Sequence, residues 1–253
     1  MFSICFFLKH INKDRGCEVR YNKEMRKFLI LLLLTTYFLL PTSTFAQSVD
    51  ILWQGEAYVP PFYQGRNLWS KQSIINFVAI PQGLGNSANL NYKWTKNGTV
   101  LGNINGVGKN TLSFIDLILS KPQIIKVEIV SGEDEVLASA SITVTPTPPT
   151  LAIYENNPLY GFMFHKETSG VYELQEKEIT FTAFPFFFST LNRADNAINY
   201  EWRTNVGEVE NRNSVTYRAP DDAVGSSEVG VNASNKDKIT QSASKSFSIE
   251  FGK

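Results

Sequence analysis

Asn91-Tyr92-Lys93-Trp94-Thr95-Lys96-Asn97 returns as Asn199-Tyr200-Glu201-Trp202-Arg203-Thr204-Asn205, an Asn-Tyr-x-Trp-x-x-Asn pattern repeated 108 residues later (202 − 94). In each copy an apolar residue, the tyrosine and the tryptophan occupy alternate positions: Leu90, Tyr92 and Trp94, then Ile198, Tyr200 and Trp202. Polar or charged residues lie between them. That alternation is the period of a half-buried strand, and its recurrence points to two copies of one module.

Working outward, Ile75-x-Phe77-x-Ala79-Ile80-Pro81 matches Ile179-x-Phe181-x-Ala183-Phe184-Pro185 at an offset of 104 (179 − 75), and Pro61-Phe62-Tyr63 matches Pro158-Leu159-Tyr160 at 97 (158 − 61). Offsets that grow between fixed blocks are what loop insertions between strands produce. Strands are expected at Val49 to Gln54, Ser73 to Ile80, Thr111 to Leu117, Ile124 to Val130 and Glu135 to Thr145. The second copy places them at Leu151 to Glu155, Val171 to Leu174, Ile179 to Phe186, Ile198 to Arg203, Ser214 to Arg218, Glu228 to Ala233 and Thr240 to Phe251. Asn97-Gly98 marks a tight hairpin, because both residues accept the positive φ that such a turn demands. No stretch of the body keeps a three-four apolar period for a dozen residues, so almost no helix is expected. The fold class is all-β, two tandem sandwiches. The expected division is residues 1–24 as an N-terminal extension upstream of the true start, 25–46 as a signal peptide or membrane anchor, 47–145 as the first domain, 146–150 as a Pro-rich linker and 151–253 as the second. Pro146-Thr147-Pro148-Pro149-Thr150 should be an extended, semi-rigid spacer of roughly 15 Å.

Met25-Arg26-Lys27 precedes an apolar run of thirteen residues, Phe28 to Leu40, and Thr44 and Ala46 have signal-peptidase spacing. A cleaved signal would leave Gln47 first; an uncleaved one would anchor the chain, since the run extended to Ala46 approaches the ~20 residues of a spanning helix. Export follows either way, with a membrane engaged only through 25–46 if cleavage fails. Both cysteines, Cys5 and Cys17, lie in this region, so the body has no disulfide and no thiolate metal site. Residues 1–46 hold seven Lys/Arg and three Asp/Glu. The body therefore has 17 basic and 21 acidic side chains (24 − 7 and 24 − 3), no electrostatic footprint for nucleic acid.

Tyr200-x-Trp202 with Val206-Gly207, then Val215-Thr216-Tyr217-Arg218-Ala219-Pro220 and Val229-x-Val231, resembles the bacterial Ig-like and PKD-type domains of secreted and cell-surface proteins. The first copy is similar through Tyr92 to Gly98, Leu112-x-Phe114 and Val127-x-Ile129. Together they cover nearly all of residues 49 to 251. Neither copy carries the Gly-Asp-Gly turn usual in PKD domains, and the Ig disulfide is missing. The resemblance implies a spacer, adhesion or ligand-binding module and no chemistry. In such a sandwich Trp94, Trp202, Tyr92 and Tyr200 are core residues.

The parts for catalysis are few. His165 is the body's one histidine and sits among Phe162, Met163, Phe164 and Lys166, with no nucleophile-elbow motif, so it reads as a structural or surface residue. Glu173, Glu176 and Glu178 could serve glycosidase chemistry, although their close spacing reads as a solvated face. Asp221-Asp222 could contribute to a calcium site, but no Asp-x-Asp-x-Asp-Gly loop is present. Asn97-Gly98-Thr99 and Asn232-Ala233-Ser234 match the glycosylation sequon, which decides nothing without the host. The function expected is a non-enzymatic exported spacer or interaction module of a cell-envelope assembly. It has no cofactor and no metal, and its partner is a protein or a glycan. A carbohydrate-binding accessory module and a secreted hydrolase are the alternatives.

The two copies differ most after the shared proline. The first continues Gln82-Gly83-Leu84, the second Phe186-Phe187-Phe188. Successive residues of a strand face opposite ways, so Phe184, Phe186 and Phe188 cannot share a core with Ile179, Phe181 and Ala183 unless a bulge intervenes. Either a bulge or the neighbouring domain buries them, or one or two of these rings join Tyr160 and Phe162 in an exposed patch that docks a partner.

Overall fold

The computed structural model describes residues 46–252 apart from Val206, Glu208 and Asp222. The expected signal segment, the N-terminal extension and both cysteines lie outside the described residues, save for Ala46. Residues 46 onward form one compact unit.

The first half contributes β1 (Ser48–Glu56), β2 (Ile74–Gln82), β3 (Asn91–Lys96), β4 (Thr99–Val100), β5 (Gly106–Val107), β6 (Thr111–Ile115), β7 (Gln123–Val130) and β8 (Val136–Val144). One sheet has the order β1-β2-β6, and the facing sheet β4-β3-β7-β8 with β5 beside β3. The second half contributes β9 (Thr150–Asn157), β10 (Gly161–Phe162), β11 (Gly170–Glu173), β12 (Glu178–Phe186), β13 (Ile198–Thr204), β14 (Val209–Glu210), β15 (Ser214–Arg218), β16 (Gly225–Asn235) and β17 (Ser242–Phe251). Its sheets run β10-β9-β12-β15 and β11-β17-β16-β13-β14. Among the described residues the helical segments are two single 3-10 turns, Ser87–Asn89 and Gly102–Ile104. The chain is all-β with Ig-like sandwich architecture.

Alternation places Val49, Ile75, Phe77, Ala79, Tyr92, Trp94, Leu112, Ile125, Val127 and Ile129 between the first pair of sheets. Ile153, Phe181, Ala183, Tyr200, Trp202, Val215, Val231 and Phe247 fill the second pair. The halves repeat their hydrogen bonds as well as their rings. Trp94 Nε1 donates to Lys109 C=O at 2.9 Å and Trp202 Nε1 to Arg212 C=O at 2.8 Å; the Tyr92 and Tyr200 hydroxyls donate to Ser87 and Arg193 C=O at 3.1 and 2.7 Å. Each large ring is thereby buried with its polar atom satisfied. Asn97 and Gly98 adopt φ of 50° and 82° in the β3–β4 hairpin.

The Pro-rich stretch expected as a semi-rigid spacer is tied to the first sandwich. Thr150 already belongs to β9, Pro149 is buried, and Thr147 N–H donates to Trp69 C=O at 2.7 Å. Trp69 is itself fully enclosed in the first core. Anchored this way, residues 146–150 are a wall of the first sandwich running straight into the first strand of the second.

Candidate interaction site at the junction of the two sandwiches

Strand β9 turns Leu151 and Ile153 inward, so Ala152 and Tyr154 face outward; β12 likewise turns Phe184 outward beside them. Three apolar side chains on the outer face of a sheet require a cover. It comes from both halves: Phe164 of the second lies 5.4 Å from both Tyr154 and Phe184 and Phe162 lies 5.2 Å from Phe184, and a loop of the first adds to them. The loop leaving β1, Pro60-Pro61-Phe62-Tyr63, closes as a turn with Tyr63 N–H on Pro60 C=O at 2.9 Å. It sets the Phe62 ring 5.4 Å from Tyr154, 4.2 Å from Phe164, 5.7 Å from Phe184 and 6.1 Å from Phe186. Most of these contacts are edge-to-face, the arrangement the ring quadrupoles favour. The Arg193 guanidinium caps the group, 4.9 Å from the Phe162 centroid and 5.0 Å from Phe184.

The backbone joins as well. Tyr58 N–H donates to Phe188 C=O at 2.7 Å, and Phe187 N–H to Tyr58 C=O at 2.8 Å. Phe187 lies in the left-handed region at φ 64°, a conformation costing a bulky residue about 1–2 kcal/mol. Its effect is to reverse the alternation after Phe186. Phe188 swings into the second core, 0% exposed, while Phe187, 6% exposed, turns against Tyr63 at 5.8 Å. The corresponding residue of the first copy, 104 positions earlier, is Gly83 at φ 70°, the one sequence signal that a left-handed residue belongs here.

Beside the rings a polar seam joins the halves. The Gln241 side-chain NH2, almost fully enclosed, donates to Lys71 C=O at 2.8 Å, Ser70 Oγ at 3.2 Å and Ser189 Oγ at 2.8 Å; its Oε1 accepts from Ser189 N–H at 2.8 Å and Asn235 Nδ2 at 3.1 Å. Gln72 Oε1 accepts from both Thr240 N–H and Thr240 Oγ1, at 3.1 and 2.8 Å. Burial pushes the Tyr58 phenol above its ordinary range, against the opposing pull of Arg193. A cleft of about 650 Å³ opens along the seam, lined by Tyr58, Ser73, Ile74, Ile115, Leu191 and Lys238 among others.

The exposed patch expected from the phenylalanine run does not form. Phe187 and Phe188 are buried, and Phe186 and Phe162 are half-covered within the cluster. Tyr160 stands away from the others in solvent. The bulge and the neighbouring sandwich each hide part of the run, the bulge Phe188 and the loop Phe186 and Phe187. Trp94, Trp202, Tyr92 and Tyr200 lie within the cores. His165 is exposed, as are Glu173, Glu176 and Glu178. Glu176 and Glu178 line a cleft of about 540 Å³ with Glu155 and Tyr172, whose hydroxyl donates to Glu155 Oε2 at 2.8 Å. Asp221 Oδ1 meets Lys177 Nζ at 2.9 Å on the surface, and its neighbour Asp222 lies outside the described residues. Among the described residues no group of three or more His, Cys, Asp or Glu side chains is placed to hold a metal. None of the described helical segments is long and apolar enough to cross a membrane.

No family model matches the chain, and no curated protein does. Solved structures similar to it include the fibronectin(III)-like modules of Clostridium thermocellum CbhA, at 13% identity over 79% of this chain and 93% of that one, TM-score 0.25. The amphioxus IgVJ-C2 molecule aligns at 13% identity over 73% and 98%, TM-score 0.27. The ectodomain of mouse nectin-like molecule 4 aligns at 11% over 81% and 62%, TM-score 0.26. At such scores these likenesses carry no argument; the sandwich fold stands on the strand order and the two cores.

Proposed function

We propose that the two-sandwich body is a non-enzymatic spacer and protein-interaction module of an exported protein, working within a cell-envelope assembly. The observation supporting this reading is the junction. Sandwiches meant to move independently need only a linker, whereas here the Phe62 turn, the Tyr58 bridge and the Gln241 seam tie the halves together by aromatic, backbone and side-chain bonds at once. Such a junction transmits position and force through the pair. The signal-like segment 25–46 supplies the route out of the cytoplasm.

Two readouts on the full chain test the reading. Protease added to intact host cells should remove a C-terminal tag, and small-angle scattering should give one fixed separation of the halves that broadens in Phe62→Ser. A tag protected in the cytoplasm would overturn the export half of the reading, and identical scattering from both proteins the spacer half. Retention on a glycan array at micromolar concentration would favour the carbohydrate-binding alternative.

A further inference from the structure

The second sandwich carries a turn of like sequence, here the tight hairpin between β9 and β10 in which Gly161 pairs with Asn157. Asn157-Pro158-Leu159-Tyr160 follows β9 as Pro60-Pro61-Phe62-Tyr63 follows β1, with proline, an apolar residue and tyrosine in the same order. It is closed by the Asn157 side chain, whose Oδ1 accepts from Leu159 N–H at 3.0 Å and Tyr160 N–H at 3.2 Å. In the first sandwich this turn is covered by its neighbour. In the second, Leu159 is 84% and Tyr160 77% exposed.

The face that receives the turn also occurs twice. Ile51 pairs with Ala79 as Ile153 pairs with Ala183, so Leu52, Val78 and Ile80 of the first sandwich stand where Tyr154, Thr182 and Phe184 stand in the second. In the second, Phe62 covers this face together with Phe162 and Phe164 of the same sandwich. In the first, Leu52 is 53% exposed and Val78 and Ile80 are each 38% exposed. Gly83 beside them, at φ 70°, reproduces the left-handed backbone of Phe187 that the Tyr58 bridge requires.

We infer that a second copy of this chain occupies these surfaces, the Leu159-Tyr160 turn of one molecule seating on the Leu52-Val78-Ile80 face of the next as Phe62 seats on Tyr154 and Phe184 within one molecule. Turn and face sit on different sandwiches and are not self-complementary. In a head-to-tail arrangement the contact leaves one unused turn and one unused face at the ends of the assembly and association continues beyond the dimer, whereas a twofold pair in which each turn seats on the other molecule's face uses all four and stops at two. The strands align at an offset of 102 (153 − 51) and the turns at 97, which makes the second turn five residues shorter; a smaller contact of this kind associates weakly, in the micromolar range or above.

Sedimentation velocity of the full chain, as purified and across concentrations up to about 1 mM, tests this in solution and does not depend on export. Average mass should rise with concentration, past that of a dimer in the head-to-tail arrangement and up to it in the twofold one. Leu159→Ser with Tyr160→Ser should lower the association constant at least about tenfold, and so should Leu52→Ser with Ile80→Ser, each with near-unchanged thermal unfolding because the side chains are exposed. Mixing the two double variants should yield a one-to-one dimer and nothing larger, since one working turn and one working face remain. A monomer throughout, or assembly indifferent to both double variants, would overturn the inference.

Discussion

Trp94 and Trp202 each fill the centre of a core and donate to a backbone carbonyl across it, to Lys109 and Arg212. Truncating either to alanine opens a cavity, removes a hydrogen bond and should cost about 3–5 kcal/mol, a large part of the ~5–15 kcal/mol typical of a domain. Denaturant unfolding of Trp94→Ala and Trp202→Ala checks this, and a loss below about 1 kcal/mol would mean the rings are not central. Phe188→Ser should be as damaging as a core tryptophan, whereas Phe187→Gly relieves the left-handed strain and gives up only a ring against Tyr63, for a smaller net change. Melting temperatures of the pair distinguish a reversed alternation from a regular strand, which would rank them the other way. The phenols carry a pH dependence. Burial pushes Tyr200 and Tyr172 well above the ordinary 10.0, and the Glu155 carboxylate adds to the effect at Tyr172. The native state thus holds these protons more tightly than the unfolded chain does. Their stabilisation is complete below pH 10 and declines as the pH climbs past it. Urea midpoints between pH 8 and 12 should stay level and then fall, with the fall reduced in Tyr172→Phe.

At the scale of elements, Phe62→Ser removes the first half's ring from over Tyr154 and Phe184 while touching neither core. The expected loss is about 1–3 kcal/mol from burial of the ring, with hydrogen exchange accelerating at Tyr58 and Phe187 before it does at the central strands. Uniform acceleration everywhere would mean the junction and the cores open together. This is also the scale at which sequence and structure part. The long strands were legible because Ile75, Phe77, Ala79 and their counterparts obey a two-residue period that burial enforces. Strands β4, β5, β10 and β14 were not, since two residues carry no period. The Phe62 contact links residues 122 apart (184 − 62) in a loop, where no periodicity announces a partner. The phenylalanine run gave its warning correctly: three consecutive rings need a reversal or a cover, and both are present. What was hidden was the division of labour, because whether Phe187 or Phe188 turns inward depends on one left-handed φ. At the Pro-rich boundary composition reports stiffness, but it says nothing of the bond from Thr147 to Trp69 that holds the stretch down.

For the molecule as a whole, each half owns a core, so residues 47–148 and 149–253 made separately should each show strand-rich circular dichroism. The second half alone loses Phe62 and Tyr63 from over Tyr154, Phe184 and Phe186 and keeps Phe162, Phe164 and Arg193 as a partial cover. It should melt below the intact chain and self-associate, with the first half added in trans reversing part of the effect. Equal melting with and without that addition would show that the junction contributes little to stability.

The Phe62 turn also sets a timetable. A chain that emerges from its N-terminus can complete the first sandwich once Val144 is out, but the second awaits Phe251, 107 residues later (251 − 144). At roughly 5–20 residues per second of synthesis, the finished first sandwich displays a bare phenylalanine and a bare tyrosine for about 5–20 s. During that interval the turn has no sheet of its own chain to rest on. A neighbouring nascent chain that offered its Tyr154 and Phe184 first would capture it, exchanging partners between molecules, so slow emergence favours the tangled product and sparse, well-separated chains favour the correct one.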